Sequence, residues 1–551
     1  MTITAPRTPP RVALIALAAL SACAAPRLGP VRAITSHAGA LLVGAPGTIA
    51  PAAEKIAESP EAARVRATFE GALPAAAKGS LRHEPALDLV ARVAADLVSA
   101  ERQPPSVALT EWLFWRAGAV SRPSRLEIMI AEGVDDLDLQ LADLAGRAQA
   151  SVYPESFGVA RSSRRRGAQV VVFGRRLLDL GPLKKSHAPG AAITIKAKPL
   201  DAFGDLTLLA DDGAGGVIEE RLANAEGGVF TITRKAPDKP GRYFLEIVGH
   251  DARTQASTPE NPWRRTLFLA PIYVGVAEPA QPDAFIGAPA GGDPASFAAQ
   301  ILDGYNAARA QVGKKPLATD GRLSTLAQER ANNVARAGRE PPPDVVLADK
   351  IAAAGSPPHD YDATEVRVDA GSDHVGLRLL APSSRRRILA PDALLVGLGV
   401  APRAASAAGL RETTLVEYLV EPVARLDPIK DRQKVLDALD ALAKAEGRAA
   451  YEHDEDVAKV VQQFASEVCR GQARQNQMKL LVDKARGVGE KFKRWSTPVW
   501  RAGYDFARWQ EASVLAKAKE PPLSHAEVGL CQGDMPGKPS GSYVVVIQYG
   551  L

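Results

Sequence analysis

The chain has 551 residues and three cysteines, Cys23, Cys469 and Cys531. A helix packed on a sheet could bring Cys469 and Cys531 within bonding reach, so a disulfide is expected, with two buried thiols as the alternative. A nucleophilic thiol is not expected, because no histidine accompanies Cys469 and His525 is a weak partner for Cys531. Ser-Ser-Arg-Arg-Arg occurs twice, at Ser162–Arg166 and at Ser383–Arg387. Guanidinium forks can hold a phosphate or an anionic head group, but a solvated turn is the expected reading. Trp112 and Trp115, with Phe114 between them, could line a groove; their spacing reads as core instead. His250 reads as a lone turn histidine, and Asn332-Asn333 as exposed helix positions. The sequence has no Gly-x-Ser-x-Gly, His-Glu-x-x-His, P-loop or dinucleotide fingerprint, so no specific catalytic claim arises from a motif.

The ends and totals set the compartment. Arg7 and Arg11 precede the apolar run Val12–Leu20, which is too short to span a bilayer. A basic start before a short apolar core is an export signal. Its ending, Leu20-Ser21-Ala22-Cys23, resembles the lipobox of bacterial lipoproteins. That resemblance implies a diacylglycerol on the Cys23 thiol; the alternative is an ordinary secretory signal with a chance cysteine. Ala24 after the cysteine resembles outer-membrane sorting signals, which implies the outer membrane or cell surface. No later segment is long and apolar enough for a span, so the lipid would be the membrane attachment. An exported chain with two thiols favours joining them. The 68 basic and 63 acidic residues give only +5, with no aromatic-rich basic face, so nucleic acid is not an expected partner.

The length calls for several domains. Residues 1–23 read as the signal and 24–60, rich in Ala, Gly and Pro, as a tether. Over 183–277 the period drops to two, in "AAITIKAKPL", "GGVFTITRK" and "GRYFLEIVG" among others. Short strands at this spacing suggest an immunoglobulin-like β-sandwich, with an antiparallel sheet of another topology as the alternative. The Pro- and Gly-rich stretch 278–295 reads as a linker.

On either side of the sandwich one pattern recurs. Leu302–Ala331 lies on Leu436–Ala465 at a constant offset of 134 without a gap, so that Gly313 falls on Gly447 and Asp320 on Asp454. A weaker copy, Gly79–Val98, matches at an offset of 236. In it Leu87, Val90, Ala91, Ala94, Ala95 and Val98 fall on one helix face. Each helix is followed much later by a glycine-centred strand ("SFGVA", "VGLGVA", "VGLC") and a closing strand ("AQVVVFGRR", "TTLVEYLVEP", "SYVVVIQYG"). These are three diverged copies of one α/β domain, at 61–180, 296–425 and 428–551.

The middle copy carries enough residues to suggest a family. Asn306, Arg309, Gly313, Pro316-Leu317, Asp320, Leu323, Ala327 and Ala331, then "APSSRRRIL" (Ala381–Leu389) before Gly397-Leu398-Gly399-Val400, resemble the CAP superfamily of SCP-like extracellular proteins. The resemblance implies an α-β-α sandwich whose cleft often carries two histidines and two acids, which in some members bind a divalent metal. The fold class expected is therefore α/β CAP-like domains plus one all-β sandwich. The departures matter. Ser384, beside Arg385, stands at the motif histidine, and the earlier histidine has no counterpart. Glu365 takes the place of the family's Gly-Glu-Asn acid, and His359 and His374 lie near enough to stand in; their alternative is loop histidines near a helix start. Glu490 is the matching acid in the third copy, and His525 reads as a turn residue.

The expected function is a non-enzymatic binding protein of the bacterial envelope, lipid-anchored, taking a protein, glycan or lipid, with no resident cofactor. Two alternatives remain: a metal-dependent hydrolase using Glu365 with His359 or His374, and a lipid or sterol carrier.

Overall fold

The computed structural model describes residues 47–50, 58–73, 78–101, 105–129, 134–147, 155–162, 168–200, 203–222, 228–251, 264–283, 294–337, 347–354, 358–368, 371–389, 394–402, 413–422, 426–472, 481–484, 499–503, 523–533 and 542–550. Cys23, the export signal, Glu490 and most of the first Ser-Ser-Arg-Arg-Arg tract lie outside them.

Three units share one topology. The central unit has a leading helix Pro294–Gln311, a short strand Ala318–Thr319, a second helix Gly321–Ala337, an outer strand Pro358–Val368, a glycine strand Leu395–Pro402 and a closing strand Thr413–Pro422. In its sheet the short strand runs parallel to the glycine strand, which pairs antiparallel with the closing strand, and that in turn with the outer strand. The first unit repeats this order with Pro60–Ala72, Leu81–His83, Pro85–Glu101, Arg122–Met129, Glu155–Arg161 and Gln169–Arg175. The third does so with Pro428–Ala445, Glu455–Cys469, Val499–Gly503, His525–Gly533 and Ser542–Gly550; a parallel bridge between Glu452 and His525 replaces the short strand.

Local chemistry explains why equivalent residues start and stop these elements. Asp320 Oδ1 accepts the Arg322 and Leu323 amides, both at 2.9 Å. Asp454 caps Glu455–Cys469 in the same way. Gly313 and Gly447 take φ of 71° and 74°, the left-handed turn that ends each leading helix. Asn306 Oδ1 then accepts the Leu317 amide at 2.7 Å, and Asp440 Oδ1 the Tyr451 amide at 2.9 Å. Arg309 is fully buried and donates to the Lys315 and Ile388 carbonyls. The Asn-x-x-Arg pair thus braces the turn after the leading helix.

The glycine strands exist because the second helix lies directly on them. A Cβ on Gly158 would sit 2.2 Å from the Leu87 carbonyl carbon, one on Gly399 2.1 Å from that of Ala327, and one on Gly529 2.3 Å from the Val461 oxygen. Gln328 bridges to the backbone of Val400 at 2.9 and 3.0 Å, and Gln462 does the same to Leu530 at 2.7 and 3.0 Å. In each unit the leading helix covers one face of the sheet and the second helix the other. In the central unit Phe297, Ile301, Tyr305, Leu415 and Leu419 form one cluster, and Leu323, Ala327, Ala331, Val416 and Tyr418 the other.

Between the first and central units lie two sheets. One orders Val217–Arg221, Phe203–Asp211, Gly241–Asp251, Arg264–Val274 and Ser186–His187, the last pair parallel; the other orders Phe230–Lys235, Ala192–Pro199 and Leu178–Leu180. Ile193, Ile195, Ile232, Leu208, Leu245 and Ile247 share one cluster. This module starts at Leu178, inside the span expected for the first unit, because Leu178–Leu180 pairs with Ala192–Pro199.

The two stretches expected as tether and linker hold structure where they are described. Thr48–Ile49 pairs with Leu183–Lys184. Glu278 bonds Lys185 and Arg116, and Asp283 takes Arg242 at 2.8 Å through both oxygens. Carboxylates of the second run thus find cations on the module and on helix Val107–Ala117, and hold the chain against both. Trp112 and Trp115 are buried on helix Val107–Ala117, and Trp115 meets Phe244 of the module edge-on.

Candidate functional site

The closing strand of the central sheet carries a buried acid. Glu417 stands on the closing strand, facing the leading helix, and is 0 % exposed. Tyr305, on that helix and also fully buried, donates its hydroxyl to Glu417 Oε2 at 2.6 Å. His374, on helix Gly371–Leu380, lies 3.1 Å from the same oxygen and 3.3 Å from the Tyr305 hydroxyl. Arg378, one turn along that helix, takes Glu417 Oε1 at 2.9 Å. It also pairs with Asp362 on the outer strand and donates to Ser384 Oγ at 2.6 Å. Helix spacing i, i+4 is what puts His374 and Arg378 on one carboxylate.

Desolvation pushes the Glu417 carboxyl upward, but the Arg378 guanidinium and the His374 and Tyr305 bonds outweigh it and hold it at about 2. Burial pushes the Tyr305 hydroxyl well up, and the Glu417 charge adds to it. The group is therefore a carboxylate with Oε2 hydrogen-bonded and Oε1 ion-paired, a neutral phenol, and an arginine divided between two acids.

The sister units show what the fold needs at this place. The strand register aligns Glu417, opposite Leu398, with Val171, opposite Val159, and with Ile547, opposite Val528. The constant offsets place Phe69 and Leu439 where Tyr305 stands. Phe69 and Val171 share one core cluster, and Leu439 and Ile547 another. Two copies fill the position with hydrocarbon; one fills it with an ion pair.

The residues expected from sequence are distributed differently. Glu365 pairs across the sheet with Val416, hence on the face of the second helix, where Arg330 grips it at 2.7 and 3.0 Å. His374 lies on the opposite face with Glu417. The structure does not bring Glu365 and His374 together. His359 belongs to the outer strand, next to a bulge, and its side chain lies outside the described atoms. Ser384 does face the buried group, as a hydrogen-bond acceptor for Arg378. Arg385 does not; it pairs with Asp211 of the β module. The second Ser-Ser-Arg-Arg-Arg tract is thus not a solvated turn but the helix Pro382–Leu389, docked on another domain. Tyr305, Glu417, Arg378 and Asp362 were not singled out by sequence. The signal for Glu417 was available: it is the lone acid inside "TLVEYLV", where the other closing strands read "QVVVF" and "VVVIQ".

Elsewhere, Cys469 and Cys531 are joined, with Cα atoms 6.4 Å apart. In the third unit burial pushes the Glu527 carboxyl up, against the pull of the Asp454 amide and of Arg432, which it meets at 2.8 Å. His453 bonds the Ala526 carbonyl, and His525 pairs with Glu452. In the first unit the Asp88 bond at 2.9 Å holds the His83 imidazole above its ordinary value. Among the described residues no three His, Cys, Asp or Glu side chains are arranged to hold a metal ion. No described helix is long and apolar enough to cross a membrane.

No family model matches the chain, and no curated protein matches it. Among solved structures, the crystal structure of MpPR-1i matches at 18 % identity over 24 % of this chain and 94 % of that one, with a TM-score of 0.18. An extracellular protein containing a SCP domain from Bacillus anthracis strain Ames matches at 12 % identity, over 42 % of this chain and 89 % of that one, with a TM-score of 0.19.

Proposed function

We propose that this chain is an exported envelope protein, lipid-anchored through Cys23, whose three CAP-like domains and immunoglobulin-like module bind a partner rather than transform a substrate. One observation carries this reading. The acid and imidazole of the central domain are consumed by one another: Glu417 is 0 % exposed, Tyr305 and His374 hold its Oε2, and Arg378 ion-pairs with its Oε1. General acid–base work needs such a group within reach of a substrate proton. The sister domains hold Val171 and Ile547 at that place, which leaves them no acid there at all. The Cys469–Cys531 bond suits an oxidising compartment and supports export. Related domains held in one chain raise the effective concentration of several weak contacts.

The test is cross-linking on intact cells of the exporting host with the full lipidated chain, followed by identification of the captured partner. It is paired with zinc titration of the soluble chain carrying Cys23→Ser. A reproducible envelope partner and no tight zinc binding are expected. One-to-one zinc binding that His374→Ala abolishes would sink the reading.

A further inference from the structure

The helix Pro382–Leu389 has two working faces. Inward, Ser384 bonds Arg378 of the buried group, and the Ile388 carbonyl accepts from Arg309. Outward, it meets three carboxylates of the β module. Glu246, itself 0 % exposed, accepts the Ser383 amide at 2.7 Å and the Ser383 hydroxyl at 2.8 Å. Asp211 pairs with Arg385, and Glu219 with Arg386. These acids form one patch, because Glu219 and Glu246 both pair in register with Leu209, two residues before Asp211 on the same strand. All three therefore point from one face of the sheet. The neighbouring helix Gly371–Leu380, which supplies His374 and Arg378, turns Leu377 and Leu380 to the cluster shared by the module and the first domain, and Ala381 joins the same cluster. The helices that cover the buried group are thus themselves covered, Pro382–Leu389 by the module and Gly371–Leu380 by helix Val107–Ala117 of the first domain.

We infer that the β module is a latch on the central domain: its acidic patch holds the Pro382–Leu389 helix down and thereby keeps the Tyr305–His374–Glu417 group closed to solvent. Such a latch explains why the docking contacts of a short helix are made by hydrogen-bonding residues, Ser383, Arg385 and Arg386. Unlike a buried apolar contact, the Arg386–Glu219 pair at the exposed rim weakens when a competing charge approaches. The inference does not depend on what the domains bind.

The test reads His374 directly in the full soluble chain. Its modification by diethyl pyrocarbonate is followed by peptide mass mapping, with His453 of the third domain as the internal standard. Arg385→Glu and Asp211→Arg, each alone, should raise the His374 rate at least about tenfold, as a one-decade shift in the open population would. The two together, with the charges exchanged, should restore the slow rate. An unchanged rate in the single variants overturns the latch. So does a rise that the exchanged pair fails to reverse, because that outcome marks structural damage rather than a broken charge contact.

Discussion

The Tyr305 hydroxyl donates to Glu417 Oε2 over 2.6 Å, across a space that Leu439 and Ile547 fill in the third domain and Phe69 and Val171 in the first. A buried ion pair contributes little net stability when its partners could be replaced by hydrocarbon, but losing one partner alone is costly. Glu417→Ile alone should therefore lower the stability of the central domain by about 3–5 kcal/mol, because Arg378 and His374 lose their shared acceptor. Replacing Tyr305, Glu417, Arg378 and His374 together with apolar residues should recover most of that loss. Amide exchange over 394–422 in the full chain measures both. Equal loss in the single and the combined variant would mean that this domain, unlike its sisters, requires the polar group in order to fold.

The same carboxylate sets a pH dependence. Its folded value of about 2 lies below its ordinary 4.5. A depressed acid contributes stability that is fully present above the unfolded value and disappears as pH falls through the folded one. The central domain should lose about 3 kcal/mol between pH 4.5 and pH 2 on this account alone. Glu417→Gln should flatten that slope while leaving the third domain's acid unfolding unchanged. Exchange protection of the central and third closing strands, recorded against pH, separates the two.

Gly399 meets the carbonyl carbon of Ala327, where an added Cβ would sit at 2.1 Å, and backbone atoms cannot step aside. Gly399→Ala should destabilise the central domain by about 3 kcal/mol or more, at the upper end for an overpacked contact. Gly313→Ala, where φ is 71° but nothing lies within 4 Å, should cost only about 1 kcal/mol. Urea unfolding of both variants, followed by a probe on the central domain, gives the ordering.

How far the sequence reached depends on where its signals were local. Caps, turns and glycines at fixed offsets exposed the repeat, because each acts within a few residues of itself. Asp320 and Asp454 cap as expected, and Gly399 and Gly529 lie under their helices. The site was less legible because it is assembled from four separated segments, and Tyr305 and Glu417 stand 112 residues apart. Closeness in sequence misled as well, for Glu365 and His374 end on opposite faces of the sheet. Glu365 and Glu417 lie on neighbouring strands, but a strand alternates faces residue by residue, so one slip in pairing carries an acid to the other side. The docking of Arg385 on Asp211 joins residues 174 apart in different domains, which no local pattern announces.

The disulfide offers a last check on the equivalence of the copies. Cys469 ends the second helix of the third domain, and Cys531 lies on its glycine strand two residues past Gly529. In the central domain the same places, two residues past Gly399 and at the offset of the helix, are held by Ala401 and Ala335, which pack in one cluster. If the domains are copies in three dimensions, Ala335→Cys with Ala401→Cys should form a second disulfide spontaneously in air-oxidised protein. The chain would then lose four titratable thiols to two bonds. Closing a loop of this length should raise the central domain's stability by about 2–4 kcal/mol. Thiol titration under denaturing conditions and mapping of non-reduced peptides give the answer. Two free thiols at 335 and 401 in an otherwise folded protein would show that the second helix sits differently on its strand in the two domains, and the assignment of Ile547 to the place of Glu417 would fall with it.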